Sequence, residues 1–475
     1  MFDKLRVIIG EENLEFIKHS KNYLSATFFL KALGFISVPI YTRLLTPDEY
    51  GILAVFASAI TIVTVFMGLN LRSGIKRYYF EKNNDFDKVL GINLIFIFIF
   101  DIILFSILFI LRNQIASFFA ISGKLFFYAS LISVLYVPFN IYLSYLQGIK
   151  NSKKYSIITI IKQILILITS IILMVNLEKN VYMGKIYAQL SFAALLFFYS
   201  YYEMIKISNF SLKKKYIKYT LSFGVPLIPA ALSGFILSHF DRIIINQITG
   251  SLDTGLYSFA YNVGMIMNVV VMASIKAWQP IFYEEFSDNN LDKINRMAYN
   301  YSKYIYFSAI GLILFSKEIV MILADESYYE ALNLVPVIVL GYVSVFLYTL
   351  FFQYASYRKR TGLISLNTFI SGFANIGLNY WLIPIFGYTA AAYTTFASYI
   401  LLFVLHYSNA RFVLKEEVIS LRKLIPNFVL VSVIGSIYMI LNNYISSYWI
   451  MFFIKISVLS FSFYYFIFRD YLKNK

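Results

Sequence analysis

Residues 91–111 read GINLIFIFIFDIILFSILFIL, 21 residues with a single charge at Asp101. An α-helix rises about 1.5 Å per residue, so a run of this length covers the roughly 30 Å hydrocarbon core of a bilayer. Hydrocarbon offers no hydrogen bonds, and a helix satisfies its own backbone N–H and C=O groups. This stretch therefore reads as a membrane-crossing helix.

The same ruler finds further spans on both sides of it. They lie near residues 22–42, 50–70, 89–111, 125–147, 155–176, 182–203, 218–247, 254–281, 300–323, 331–355, 361–385, 388–409, 424–441 and 446–468. The last two are the shortest and most closely joined. Composition agrees: hydrophobic types make up 59% of the 475 residues and charged types 14%, with a mean hydropathy of +0.69. A soluble domain carries about a quarter charged residues. The expected fold is an all-α polytopic membrane protein of about 14 transmembrane helices.

Loop charges orient the threading. With the N-terminus inside, inward segments hold 30 of the 41 Lys and Arg residues and outward segments hold 6. That bias follows the positive-inside rule. The net charge of +16 is thereby a topological signal facing anionic lipid headgroups, and no nucleic-acid partner is expected. The opening MFDKLRVIIGEENLEFIKHSKN has neither the continuous apolar core nor the small-residue cleavage site of a signal peptide. Phe2, Leu5, Ile8 and Ile9 fit a helical face that would lie on the inner membrane surface. Both termini are expected in the cytoplasm.

Two halves repeat weakly. Asn22-Tyr23-Leu24-Ser25 opens the first span and Tyr219-Thr220-Leu221-Ser222 the seventh; their exits read LLTPDEYGILAVFAS and QITGSLDTGLYSFAY. Asp48 or Ser251 is expected to cap the following helix, with Gly51 and Gly255 easing the turn. The organisation expected is a cytoplasmic segment (1–21), an N-lobe of six spans (22–203), a basic linker (204–217) holding Lys213-Lys214-Lys215, a C-lobe of six spans (218–410), and a terminal pair with a short tail (411–475). Paired repeats are a usual plan for secondary transporters.

Enzyme chemistry finds no footing. There is no cysteine, which removes disulfides, thiolate metal sites and cysteine nucleophiles. No phosphate-binding GxxxxGK[ST] or zinc-binding HExxH pattern occurs, and the histidines are His19, His239 and His406. Glu284, Glu285 and Asp288 read as a solvated acidic face. Neither a metal nor a bound cofactor is expected.

Charges placed in hydrocarbon each cost about 2.5–3.5 kcal/mol and need a reason. Lys162 and Lys276 lie within reach of the inner surface and His406 reads as interfacial, while Lys455 sits in the peripheral terminal pair. Lys31, with Thr27 and Gly34 on its face, and Asp101, Asp241 and Arg242 lie deeper. Helix neighbours point about 100° apart, so Asp241 and Arg242 are expected to find partners on other helices; an ion pair of Lys31 with Asp101 or Asp241 is one arrangement. His239 sits beside them as a titratable group. Pro226 and Pro229 are expected to bend the seventh span into a hinge, with Gly234, Ser238 and Asp241 forming a polar stripe.

Tyr41-Thr42-Arg43-Leu44-Leu45-Thr46-Pro47-Asp48-Glu49-Tyr50-Gly51 resembles the first loop of the Wzx-type oligosaccharide, or polysaccharide biosynthesis, flippases, which belong with lipid II flippases and multidrug extruders in one exporter superfamily. Asp241-Arg242-Ile243-Ile244-Ile245-Asn246 with Gly255-Leu256-Tyr257, and Ala277-Trp278-Gln279-Pro280, carry the resemblance further along the chain. It implies two lobes in a V around a central cavity lined by spans 1, 2, 7 and 8. Cationic residues there would hold the diphosphate of a polyprenyl-linked oligosaccharide while alternating access carries the sugar outward. Lys31, Arg72, Arg242 and Lys276 occupy those four spans and are the expected diphosphate contacts. An H+ or Na+ gradient, or removal of product, would set direction, with Asp101, His239 and Asp241 as the coupling candidates. Polysaccharide polymerase and chain-length machinery are further implied partners.

Two rival readings differ in what they require. A cation-coupled multidrug or small-molecule exporter of the same superfamily would favour an acidic cavity, whereas the deep charges here lean positive. A membrane polysaccharide polymerase or glycosyltransferase would need a sizeable outside loop, and the outside loops here are short.

Overall fold

The structure, a computed structural model, describes residues 11–81, 85–211, 213–445 and 447–469. Every regular element among them is helical. In the first part of the chain these are α1 (Glu11–Leu44), α2 (Pro47–Met67), α3 (Leu71–Phe80), α4 (Phe86–Ile110), α5 (Arg112–Phe119), α6 (Gly123–Gly148), α7 (Ser152–Val175), α8 (Met183–Ile205) and α9 (Lys214–Gly224). After a 3-10 turn at Val225–Leu227 come α10 (Ile228–Ile248), α11 (Ser251–Ser287), α12 (Leu291–Leu314), α13 (Ser316–Leu323), α14 (Val335–Tyr357), α15 (Thr361–Phe386), α16 (Ala390–Ser408), α17 (Leu421–Tyr444) and α18 (Tyr448–Phe463).

Twelve helical stretches among the described residues are long and apolar enough to cross a membrane, or thirteen if α12 and α13, bent by 61°, form one span. About fourteen were expected. The difference is α8, over the sixth expected span: it has the length, but Gln189, Tyr187, Tyr199, Tyr201 and Tyr202 dilute its apolarity. The short spans 13 and 14 both correspond to qualifying helices.

Boundaries depart from the sequence reading where capping chemistry decides. The first helix runs unbroken from Glu11 through residue 22; Phe2, Leu5, Ile8 and Ile9 lie outside the described residues. The cap of α2 is Thr46, not Asp48: its hydroxyl accepts from the Glu49 N–H at 3.3 Å, and the Thr46 N–H donates to Glu49 Oε2 at 3.4 Å. This reciprocal box satisfies two end groups, with Pro47 preset for the first turn. The cap of α11 is Gly250, not Ser251, because the chain turns there at φ +98°, which glycine adopts without strain.

The chain divides into two compact units, the first ending at Phe235 and the second beginning at Ile236. In the first, α6 is the best-buried span and packs on α2, α7, α8 and α3. Helix α9 is drawn in closely against α3 and α4. A Cβ added to Gly74 would lie 2.6 Å from the Thr220 carbonyl oxygen, and one added to Gly224 would lie 2.8 Å from that of Leu69. Small residues let membrane helices approach to backbone contact. The Thr220 hydroxyl then donates to Asn93 Oδ1 at 2.7 Å. In the second unit α14 is buried along almost its whole length, with α11, α12 and α16 around it. A helix apolar on every face belongs at such a centre.

Candidate functional site

In the first unit, a cleft of about 490 Å³ opens beside the turn from α2 to α3. Two left-handed residues, Leu69 (φ 43°) and Asn70 (φ 50°), fold the chain back there. Arg72 lines the cleft, with Thr64, Asn70 and Asn140 adding polar groups. Asn70 Oδ1 accepts from the Ser73 hydroxyl at 3.1 Å, so the Asn70 NH2 is left as a donor. A guanidinium flanked by amides and a hydroxyl suits a phosphate-like oxygen anion. Lys31 is exposed on α1, and Thr27 and Gly34 on its face are exposed as well. Its suggested ion pair with Asp101 does not form.

Asp101 is 4% exposed on α4, and its Oδ1 has no hydrogen-bond partner among the described residues. Its electrostatic neighbour is Tyr201 of α8. A lone buried carboxyl midway along a membrane-crossing helix is a candidate functional group, because packing alone gains nothing from it.

In the second unit the seventh span behaves differently from expectation. Asp241 and Arg242 do pair with each other, despite being adjacent. Asp241 Oδ1 accepts from the Arg242 backbone N–H at 2.9 Å and from Nη1 at 3.3 Å. The short aspartate folds back along its own turn, and Nη1 also donates to the Ser238 carbonyl at 2.8 Å. Tyr257 donates to Asp241 Oδ2. The guanidinium faces the Tyr261 ring at 4.6 Å and the Tyr257 ring at 5.8 Å. Arg242 is thus buried and engaged, not presented to a ligand as expected. Lys276 on α11 is exposed, and His239 is half-buried. Pro226 sits in the 3-10 turn and Pro229 at the start of α10, both exposed. They convert one turn while Lys214–Ile248 continues as a single candidate span. The structure thus seats Arg72 in a cleft, leaves Lys31 and Lys276 exposed, and joins Asp241 to Arg242.

Three further polar residues have partners that the sequence did not show. His406 is 2% exposed, its Nδ1 lies 3.2 Å from Asn367 Nδ2, and its ring stacks on Tyr348. Lys455 is buried and doubly bonded to Glu318 at 2.7 and 2.9 Å. Glu285 is buried and paired with Lys293 and Asn290, so the acidic run is not simply a solvated face.

A row of residues went unread in the sequence. Asn367, Ser371, Asn375 and Asn379 recur every fourth position along α15, all buried. Asn375 donates to Thr395 at 3.2 Å, Asn379 donates to Asn375 at 3.1 Å, Thr394 donates to Asn379, and Asn409 donates to Asn367 at 2.8 Å. The four-residue spacing was the available signal, since amides on one helical face in lipid must meet a partner.

Comparison with known proteins places this architecture. A profile described as polysaccharide biosynthesis protein matches residues 18–286. The Lsg locus putative protein 1 of Haemophilus influenzae is 25% identical over 287 residues, 58% of this chain and 68% of its own. The succinoglycan biosynthesis transport protein ExoT of Rhizobium meliloti is 24% identical over 256 residues, covering 53% of this chain and 49% of its own. Among solved structures, the lipid II flippase MurJ in an inward closed conformation superposes with a TM-score of 0.73 at 17% identity, over 95% of this chain and 99% of its own. An inward-facing multidrug resistance MATE transporter of the MOP superfamily gives 0.66 at 15% identity, over 81% and 94%. At these identities the two superpositions speak to the fold.

Proposed function

The chain belongs to the polysaccharide biosynthesis protein family, as a Wzx-type flippase of the MOP exporter superfamily, and on that premise we propose what it carries and how. The cargo is a polyprenyl-diphosphate-linked oligosaccharide. Alternating access moves it from the cytoplasmic to the outer face of the bacterial plasma membrane, for O-antigen, capsule or exopolysaccharide assembly. The observation that carries this reading is the Arg72 cleft, where a cation stands among the amide and hydroxyl groups of Asn70, Asn140 and Thr64. A diphosphate is the part of such a cargo that hydrocarbon rejects most strongly, and an interfacial cationic cleft supplies what it loses. Exposed Lys31 and Lys276 are the further cations in this role. Arg242, in the conformation seen, stabilises Asp241 instead. Directionality comes from an H+ or Na+ gradient acting at Asp101, His239 or Asp241, or from removal of product by polymerase and chain-length machinery.

The test is export in a strain deleted for its own flippase. Lys31→Ala with Arg72→Ala is expected to leave lipid-linked oligosaccharide on the inner face, read by glycosidase accessibility in spheroplasts. Full export by the double variant overturns the cationic-site assignment while leaving family and fold intact.

A further inference from the structure

A second cleft, of about 940 Å³ and open to solvent, lies in the second unit between the first turns of α12 and the start of α17. Arg296 and Tyr299 line it from α12, and Ser420, Arg422 and Lys423 from the start of α17. Lys303, one turn past Tyr299, is 5% exposed and holds its ammonium 4.1 Å from the centre of the Tyr299 ring. Lys423 lies over the same ring at 5.1 Å, and the two ammonium groups repel each other. Among the described residues Asp292, on the rim and exposed, is the one carboxylate of the cleft wall.

Three cations, Arg296, Arg422 and Lys423, against one carboxylate leave an excess of positive charge on the wall, and Lys303, bonded to Asn300 Oδ1 at 3.1 Å, adds a fourth behind it. Gathering like charges costs energy unless a counter-charge shares the space. The arrangement is held by bonds rather than by a loose loop. Ser420 N–H donates to Asn295 Oδ1 at 2.7 Å, Ile419 N–H to the Tyr354 hydroxyl at 3.1 Å, and the Tyr306 hydroxyl to the Leu424 carbonyl at 2.9 Å. The N-terminal turn of α17 adds the positive end of a helix dipole to the wall. Guanidinium, ammonium and a helix N-terminus together select a phosphate oxygen anion.

The outer face of α17 identifies the bearer of that phosphate. Val429, Val433, Ile437 and Ile440 are exposed there at helical spacing, an apolar strip that starts within two turns of the cleft. A free phosphate has no use for such a strip, whereas an acyl chain does. We propose that this cleft binds the phosphate headgroup of an anionic membrane phospholipid, with an acyl chain laid along the strip. The proposal rests on the functional reading above in one respect only, that this end of the unit faces the cytoplasmic leaflet, where anionic lipid attracts basic residues.

The full-length protein in nanodiscs of phosphatidylcholine mixed with phosphatidylglycerol supplies the test, with retained lipid counted by native mass spectrometry. Phosphatidylglycerol is expected to be retained over phosphatidylcholine. The R422Q/K423Q variant should weaken that retention about 30-fold, two interfacial cations at about 1 kcal/mol each. K213Q/K214Q, an equal loss of charge elsewhere, should leave it unchanged, and R296Q gives a second variant should the first fail to fold. Equal retention of both lipids, or retention untouched by R422Q/K423Q and R296Q, overturns the site. Displacement of the lipid by inorganic phosphate at millimolar level, or preferential capture of polyprenyl diphosphate, overturns the choice of phospholipid. Transport is not the readout, so a failed export assay and a failed lipid count remain separate results.

Discussion

At the residue scale, the Asp241–Arg242 pair shows what adjacency conceals. The sequence marks both charges as too deep to be accidental. It does not show their pairing, because ideal helix directions set neighbours about 100° apart, and only the short aspartate's fold-back on its own turn brings them together. Removing one partner leaves a buried charge without compensation. Asp241→Ala is therefore expected to cost about 3–5 kcal/mol, whereas Asp241→Leu with Arg242→Met should lose much less, since an apolar replacement removes both charges at once. Thermal unfolding of detergent-solubilised protein, compared across the single and double variants, measures this. Similar losses in both would show the pair is not coupled. Asp85, outside the spans, is a second residue-level case. Lys88 at 2.6 Å and the Tyr216 hydroxyl at 2.7 Å hold its carboxyl down to about 2. A lowered carboxyl contributes stability above its ordinary range, near 4, and loses it as pH falls from there toward 2. Unfolding midpoints across pH 7 to 2 should therefore fall less steeply in Asp85→Asn than in the parent.

At the element scale, the helices were legible because hydrocarbon imposes one length and one composition on each crossing. Residues 91–111 need no partner to be read. Their partners were not legible, since contacts between helices join residues far apart in the chain. Lys455 shows this: its partner Glu318 lies 137 residues away, and nothing local to Lys455 points to it. The ion pair ties α18 to the start of α13, immediately past the 61° bend. Lys455→Met should thus be markedly destabilising by stranding Glu318, and adding Glu318→Gln should recover part of the loss, read by the same thermal assay. Close glycine packing was equally hidden. At Gly224 an added Cβ meets the backbone oxygen of Leu69, which cannot swing aside. Gly224→Ala is expected to cost about 1–3 kcal/mol, while Gly234→Ala, with nothing within 4 Å of the added atom, should be tolerated. Equal behaviour of the two variants would mean that α9 is not held where the packing places it.

At the scale of the whole molecule, the charge distribution makes a claim that no single helix can make. With the N-terminus placed inside, thirty inward Lys and Arg against six outward would orient every span at once, and one miscounted helix would reverse all loops after it. The vulnerable point is α8, long enough to cross but diluted by tyrosine. Glu178 and Lys206 are both exposed on opposite sides of it, and the chain contains no cysteine, so an introduced thiol is the sole target of a maleimide. On intact spheroplasts a membrane-impermeant maleimide is expected to label Glu178→Cys and Glu326→Cys at once. Lys153→Cys, Lys206→Cys and Glu417→Cys should react only after permeabilisation. A fully reversed pattern would invert the orientation and, with it, the leaflet from which cargo is taken. If Glu178→Cys and Lys206→Cys instead react from the same side, α8 does not cross. The seventh span would then enter from the opposite face, the positive-inside bias over the second half would become a positive-outside one, and a bias that strong argues that α8 does cross despite its tyrosines.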